Sequence, residues 1–314
     1  MPVMTFVAAV RLGPTDAVHG NRPHRLRRER AAHRALLPSA SMKVAYQGEP
    51  GAYSERAVGS LFPDAEPLPC ASVRLVFSRV TSGEAAFGVV PLENSQAGSV
   101  NETYELLLHT NLLRMVGETI VRVDHALLGR PGVRLEAIRR AHSHWQALAQ
   151  CEEFLSSMRI EPVPVHDTAG AARMIAESGS DEDAAIASVE AGARFGLAVL
   201  AERIQSEKEN FTKFAVIGTV EPGSGANDKT SLVMAVLDEP GSLLGALQPL
   251  AARGINLHKL ESRPMRGKPF EYVIYVDVMV AGDDPGLGEA LEEMANHTSM
   301  LRVLGSYRAA ADPA

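Results

Sequence analysis

Cysteine is scarce in this chain: Cys70 and Cys151 are the two among 314 residues. Thiols so far apart supply neither a disulfide framework nor a metal site of the usual close spacing, and they fit a reducing, cytoplasmic setting. Aromatic residues make up 5% of the chain and tryptophan occurs once, so the core has to be aliphatic, built on Ala, Val and Leu. No apolar run reaches the length that spans a bilayer, and no membrane partner is expected. Met1–Val10 is mildly apolar but has no basic stretch before it, which argues against a secretory signal. Positive charge is scarce too, outside one region. Residues 1–41 hold seven Arg against Asp16 and Glu29 and carry +5, which leaves −12 on the remainder when the whole chain carries −7. Phosphate binding needs clustered Lys and Arg, so an acidic body excludes a broad nucleic-acid surface.

What is present is a chain of ordinary globular composition, 46% hydrophobic and 22% charged, long enough for two or three compact units. Residues 1–41 are rich in Arg, Pro and Gly without a sustained period and are expected to be disordered. They read either as a basic targeting or contact tail or as sequence upstream of the true start, since Met42 directly precedes the first strand-like run. That run, Lys43–Gln47, leads into Gly48, Pro50 and Gly51 and a helix opened by Ser54. A second apolar strand, Ala86–Val90, leads into a polar loop and a helix around Val100–His109. Strand, glycine-bearing loop and helix thus occur twice, which indicates α/β layers with ligand groups at strand C-termini and helix N-termini. Further expectations are a crossover strand over Thr119–Leu128, helices at Leu135–Arg140, Gln146–Ser157 and Ala169–Ser178, and strands at Ala184–Ser188 and Ala215–Gly218. Val189–Phe195 reads as helix, and residues 221–228 as a linker by composition. Beyond the linker, residues 229–307 give the order β-α-β-β-α-β, a ferredoxin-like arrangement, and 308–314 a disordered tail.

Six segments carry a family resemblance. They are Gln47–Ser54, Pro91–Ser95 with Gly98, Ser143–Cys151, Asp167–Ala169, Ala185–Ser188 and Asn210–Phe214. In this order they resemble the prephenate dehydratases, a family that includes arogenate dehydratases, over about residues 42–307. The resemblance implies a catalytic domain over 42–220 of two α/β lobes, like periplasmic binding proteins, with the substrate between them. It also implies a C-terminal ACT regulatory domain, a homodimer or homotetramer, no cofactor and no metal. The implied reaction removes water and carbon dioxide from prephenate to give phenylpyruvate, on the route to phenylalanine. Aromatisation drives it, so the protein has to hold a dianion and protonate the departing hydroxyl, work suited to hydrogen-bonding groups, helix N-termini and one or two cations.

The resemblance places Thr212 at proton delivery, with Glu93 and Asn94 as further catalytic candidates. It makes Ser95, Ser143, Gln150, Thr168, Ser188, Lys213 and Phe214 substrate contacts. Residue by residue, plainer roles compete. Thr212 could cap or pack near the next strand, and Glu93 could be an exposed carboxylate at a helix start. Ser143 could cap a helix, and Gln150 could sit on a solvated face. Lys213 stands where the family has Arg, so charge survives while the planar fork is lost. Trp145 replaces a Pro. His142 and His144 resemble a metal motif only superficially, because no partner set lies at ligand spacing. In the C-terminal domain, Gly241-Ser242-Leu243-Leu244 and Glu261-Ser262-Arg263-Pro264 resemble the phenylalanine-binding signature of ACT modules, with Ser242 where Ala is common. A dimerisation module without ligand is the plainer alternative. Two rivals to the whole assignment are a preference for arogenate and a non-catalytic sensor on the same fold.

Overall fold

The computed structural model describes residues 42–219 and 227–311. The expected disorder of 1–41, most of the 221–228 linker and the end of the tail lie outside the described residues. The first lobe runs β1 (Lys43–Gln47), α1 (Tyr53–Leu61), β2 (Glu66–Cys70), α2 (Val73–Thr81), β3 (Phe87–Asn94), β4 (Gly98–Ser99), α3 (Asn101–His109) and β5 (Arg114–Arg122). The chain then crosses to a second lobe. It comprises β6 (Ala126–Gly129), β7 (Arg140–His144), α4 (Trp145–Gln150), α5 (Glu152–Met158), β8 (Glu161–Val165), α6 (Thr168–Ser178), β9 (Asp183–Ala187), α7 (Val189–Phe195) and β10 (Ala198–Ala201). It returns to the first sheet as β11 (Phe211–Gly218).

The lobes share one topology. The first sheet is ordered β2-β1-β3-β11-β5 and the second β8-β7-β9-β6-β10. In each, the first three strands are parallel and the remaining pairings antiparallel. Both parallel edges carry proline at alternate positions, Pro67 and Pro69 in β2, Pro162 and Pro164 in β8. The intervening residues turn their N–H groups inward, as Glu66 to Met42 and Glu161 to Arg139 show. Proline therefore sits where an N–H would face the open edge, and it blocks further strand addition there.

Several elements differ from the sequence expectations. Thr119–Leu128 is not one strand but the end of β5 and most of β6, in two different sheets, joined by Val123, Asp124 and His125. Leu135–Arg140 is a single 3-10 turn over Leu135–Ala137, followed by strand β7. The helix expected over Gln146–Ser157 breaks at Cys151 into α4 and α5.

The C-terminal module has β12 (Lys229–Val236), α8 (Ser242–Ala252), β13 (Leu257–Pro264), β14 (Tyr272–Val278), α9 (Pro285–Met294) and β15 (Thr298–Tyr307). Its antiparallel sheet is ordered β13-β14-β12-β15, the ferredoxin-like arrangement. One face carries α8 and α9 over a core of Leu232, Met234, Leu250, Leu287 and Met294. The other face joins the first lobe: Val233, Tyr275, Leu304 and Tyr307 share a core with Leu107, Met115 and Ile217. Gly305 is required at this contact, since a Cβ there would fall 1.9 Å from the Met115 carbonyl oxygen. Buried Lys229 bridges the two domains, 2.9 Å from both Glu118 on β5 and Asp277 on β14. Burial opposes its charge, but the two carboxylates outweigh burial and raise its pKa. The first residues of the expected tail are held: the N–H of Ala309 donates to Asp228 and that of Ala310 to Glu118.

Candidate active site

Between the lobes lies a cleft of about 550 Å³. Its walls are the starts of helices from both sides: Ala52–Ser54 at α1, Ala71–Val73 at α2, His144–Gln146 at α4, and Asp167 and Thr168 at α6. Local sequence explains these starts. Gly48 and Gly51 take left-handed backbone angles (φ +120° and +93°) in the turn before α1. Ser72 accepts the Leu75 N–H and Asp167 accepts the Gly170 N–H as N-caps of α2 and α6. Helix N-termini converging from two lobes offer the cleft positive dipole ends, beside the two carboxylates in its wall, Glu102 and Asp167. Among the described residues that line it there is no Lys or Arg.

The floor is a chain of neutral hydrogen bonds. Asn94 Oδ1 accepts the backbone N–H groups of Gln96 (3.1 Å) and Ala97 (2.9 Å), which turns its Nδ2 toward Thr212 Oγ1 (3.0 Å) and Asn210 Oδ1 (2.8 Å). Asn210 Nδ2 donates to Gln150 Oε1 at 3.0 Å, and the same oxygen lies 2.9 Å from His125 Nε2. His125 is 3% exposed, and burial lowers its pKa, opposed by the Gln150 hydrogen bond and Asp124; the net lowering favours the neutral ring. Thr212 Oγ1 shares the Asn94 Nδ2 donors with Asn210 Oδ1 and with the Phe211 carbonyl at 3.1 Å, and among the described residues no acceptor takes the Thr212 hydroxyl proton. A donor to its oxygen also eases loss of that proton. An extra residue in β3 brings this about: Lys213 pairs with Glu93 but Phe214 with Pro91, and the bulge puts Pro91 and Asn94 on the cleft face together.

The structure brings Asn94, Gln150, Thr168, Thr212 and Phe214 to this one cleft. Other residues expected there lie elsewhere. Ser143 is fully buried beneath it and donates to the Ile186 carbonyl at 2.6 Å. Ser188 caps α7 and donates to the Gly51 carbonyl, tying the second lobe to the first. Ser95 clasps β3 to the start of β11 through the N–H of Phe211. Lys213 alternates along β11 with cleft-lining Thr212 and Phe214, so its side chain leaves on the other face. Glu93 faces the C-terminal module, where its carboxylate is 2.7 Å from Lys259 Nζ.

Tyr53, His125 and His166 also line the cleft, and Asn210 reaches it through Gln150; none of the four stands out in the sequence. Asn210 and Tyr53 lay inside matching segments without being singled out. His125 had no local signal, because its role comes from sitting between the sheets. In the C-terminal module Leu244 is 72% exposed and Leu243 39% exposed, whereas Ser242 is buried at the start of α8. On β13 alternation divides the second segment. Glu261 and Arg263 face the first lobe, where Glu261 accepts from Ser99 at 2.6 Å and Arg263 stacks over Tyr104, while Ser262 and Pro264 face solvent.

Two similar α/β lobes on either side of a cleft of hydrogen-bonding groups, helix N-termini and two carboxylates define a two-lobed α/β protein with an appended ferredoxin-like module. The chain belongs to the prephenate dehydratase family, which it matches over residues 44–222, and it matches the ACT domain over residues 230–296. It is 40% identical over 277 residues to an arogenate dehydratase/prephenate dehydratase 2 of Arabidopsis thaliana, described as chloroplastic, covering 85% of this chain and 72% of the relative. A prephenate dehydratase from Arthrobacter aurescens, solved in complex with L-Phe, is 32% identical with a TM-score of 0.76, covering 85% and 90% of the two chains. The solved structure of GqqA, described as a novel type of quorum-quenching acylase, is 36% identical with a TM-score of 0.77, covering 85% and 98%.

Proposed function

We propose that the protein converts prephenate to phenylpyruvate and is regulated by phenylalanine. The observation that carries this reading is the orientation of Thr212, whose oxygen accepts from Asn94 while its proton is free to serve a ligand. In the reaction the ring carboxylate leaves as carbon dioxide and its electron pair enters the ring. The C–O bond to the hydroxyl breaks, and the departing oxygen takes a proton and leaves as water. Thr212 stands at that proton transfer, with Asn94 supporting its oxygen. Gln150, Thr168 and the helix starts hold the carboxylates, and Phe214 packs against the ring. Asn210 and Ser143 act from beneath, by orienting these groups. Lys213 and Glu93 are assigned no direct contact.

Phenylalanine is assigned to the segments Gly241–Leu244 and Glu261–Pro264, between modules of paired chains. That the Arthrobacter aurescens relative was solved in complex with L-Phe supports phenylalanine as the effector; its placement at these segments rests on their resemblance to the ACT signature. A homodimer or homotetramer gives exposed Leu243 and Leu244 a covering partner. Cytoplasmic placement suits the two buried free thiols.

Arogenate is the second reading, favoured by the name of the Arabidopsis thaliana relative and by two carboxylates in the cleft wall, Glu102 and Asp167, that suit its ammonium. The name of GqqA raises acyl transfer. Here the hydroxyls of Ser72, Ser99 and Thr212 are engaged with the Leu75 N–H, with Glu261 and Lys259, and with Asn94, instead of with an imidazole. That arrangement favours dehydration. Turnover on prephenate and on arogenate, each with and without millimolar phenylalanine, tests the proposal. We expect prephenate to be preferred and phenylalanine to slow it; equal inertness toward both substrates would remove the enzymatic reading.

A further inference from the structure

The orientation of a glutamine amide decides whether it offers a ligand an acceptor or two donors. Gln150 lines the cleft, and its orientation is dictated from two sides. On one side a relay starts at backbone N–H groups that cannot flip: those of Gln96 and Ala97 fix Asn94, Asn94 Nδ2 fixes Asn210, and Asn210 Nδ2 reaches Gln150 Oε1. On the other side stands His125. Its main chain is held at both ends, the N–H by Gln205 Oε1 at 3.0 Å and the carbonyl by the Ile204 N–H at 3.0 Å. Its ring lies edge-on to Tyr53, with centroids 5.9 Å apart. The Tyr53 proton goes to the Asp124 carbonyl at 2.6 Å, with Nδ1 of His125 further away at 3.3 Å. An imidazole clamped in this way presents Nε2 to Gln150 Oε1 in one direction only.

We propose that His125 is a positioning residue: as the Nε2–H tautomer it locks Gln150 Oε1 inward, so that the Gln150 Nε2 donors face the cleft and select an oxygen acceptor of the ligand. Among the described residues no acceptor takes those Nε2 donors. This wall therefore reads a carboxylate, keto or hydroxyl oxygen and turns away an ammonium. The consequence for substrate rests on the dehydratase reading; the tautomer and the amide orientation do not.

Two measurements on the full-length protein test it. Long-range proton–nitrogen NMR on the histidine-labelled, ligand-free protein reads the tautomer directly, with the signal assigned by its absence in His125→Gln. The Nε2–H form is expected, and the Nδ1–H form overturns the proposal. Kinetics with prephenate then compare His125→Leu, which removes the donor, with His125→Gln, which restores an N–H donor near the same place. His125→Leu should raise KM about 10- to 100-fold, the range for an oriented hydrogen bond to a charged group, with a smaller change in kcat. His125→Gln should recover most of that loss. Equal losses in the two variants, at matched melting temperatures, would reduce His125 to packing and overturn the proposal. Should the wild type convert neither prephenate nor arogenate, the dehydratase reading falls and the tautomer alone decides this inference.

Discussion

The cleft and the domain junction lie on opposite sides of the same two strands, β3 and β11, and carry their polarity in different forms. On the cleft side Asn94 and Thr212 belong to a chain of amides, hydroxyls and one neutral imidazole. On the junction side the neighbouring residue Glu93 joins Lys259, Glu261 and Arg263, and buried Lys229 lies between Glu118 and Asp277. A permanent contact can hold ions, because each charge keeps its partner; a buried ion left unpaired costs several kcal/mol. A cleft that must empty and refill is better served by neutral donors such as those of this floor, whose exposure between turnovers costs little; Glu102 and Asp167 in its wall stand outside that chain. One residue step along a strand separates these two chemistries.

Four variants or conditions break or sharpen that contrast. Lys229→Met leaves two facing carboxylates buried without a cation and should destabilise the fold by about 3–5 kcal/mol, measured by denaturant unfolding. Turnover below the melting transition should be retained; a parallel loss of turnover would show that junction and cleft are one unit. Gly305→Ala forces β15 away from the Met115 carbonyl, and about 1–3 kcal/mol of stability should be lost, as for other overpacked sites. Glu93→Gln should cost about 0–1 kcal/mol, because its ion pair with Lys259 is partly exposed. Turnover should be nearly unchanged, whereas a loss as deep as that of an Asn94 variant would return Glu93 to the catalytic group. The smallest effect is with acid. Burial favours protonation of Glu261, but Ser99, Lys259 and Arg263 outweigh it and hold its pKa below the ordinary value. Its contribution is therefore complete above a pH of about 4.3 and is lost as pH falls through the depressed value. Thermal scans between about pH 5 and 3 should show a slope that Glu261→Gln reduces.

Much of this arrangement was legible in the sequence. Period and turn residues place β1, α1, α7 and the six elements of the C-terminal module, since those are local signals. The strands β2 and β8 escaped because two prolines in five residues argue against a strand, and only their edge position makes proline acceptable. The alternation that sends Glu93 and Lys213 away from the cleft was hidden by the β3 bulge, which depends on pairing with β11. Ser143 and Ser188 are polar residues in motif segments, yet they serve the Ile186 and Gly51 carbonyls beneath the cleft. His125 carries no motif at all. Its part follows from the crossing between sheets, a property of the whole fold.

The proposed dehydration depends above all on a neutral hydroxyl, steadied by an asparagine, serving a departing hydroxyl group. Single-turnover formation of phenylpyruvate from prephenate by Thr212→Val, beside the wild type, tests this most directly. The variant is expected to bind prephenate with little change in Kd and to form product about 10²- to 10⁴-fold more slowly, the range for losing a positioned proton donor. Product formation at the wild-type rate by Thr212→Val would contradict it.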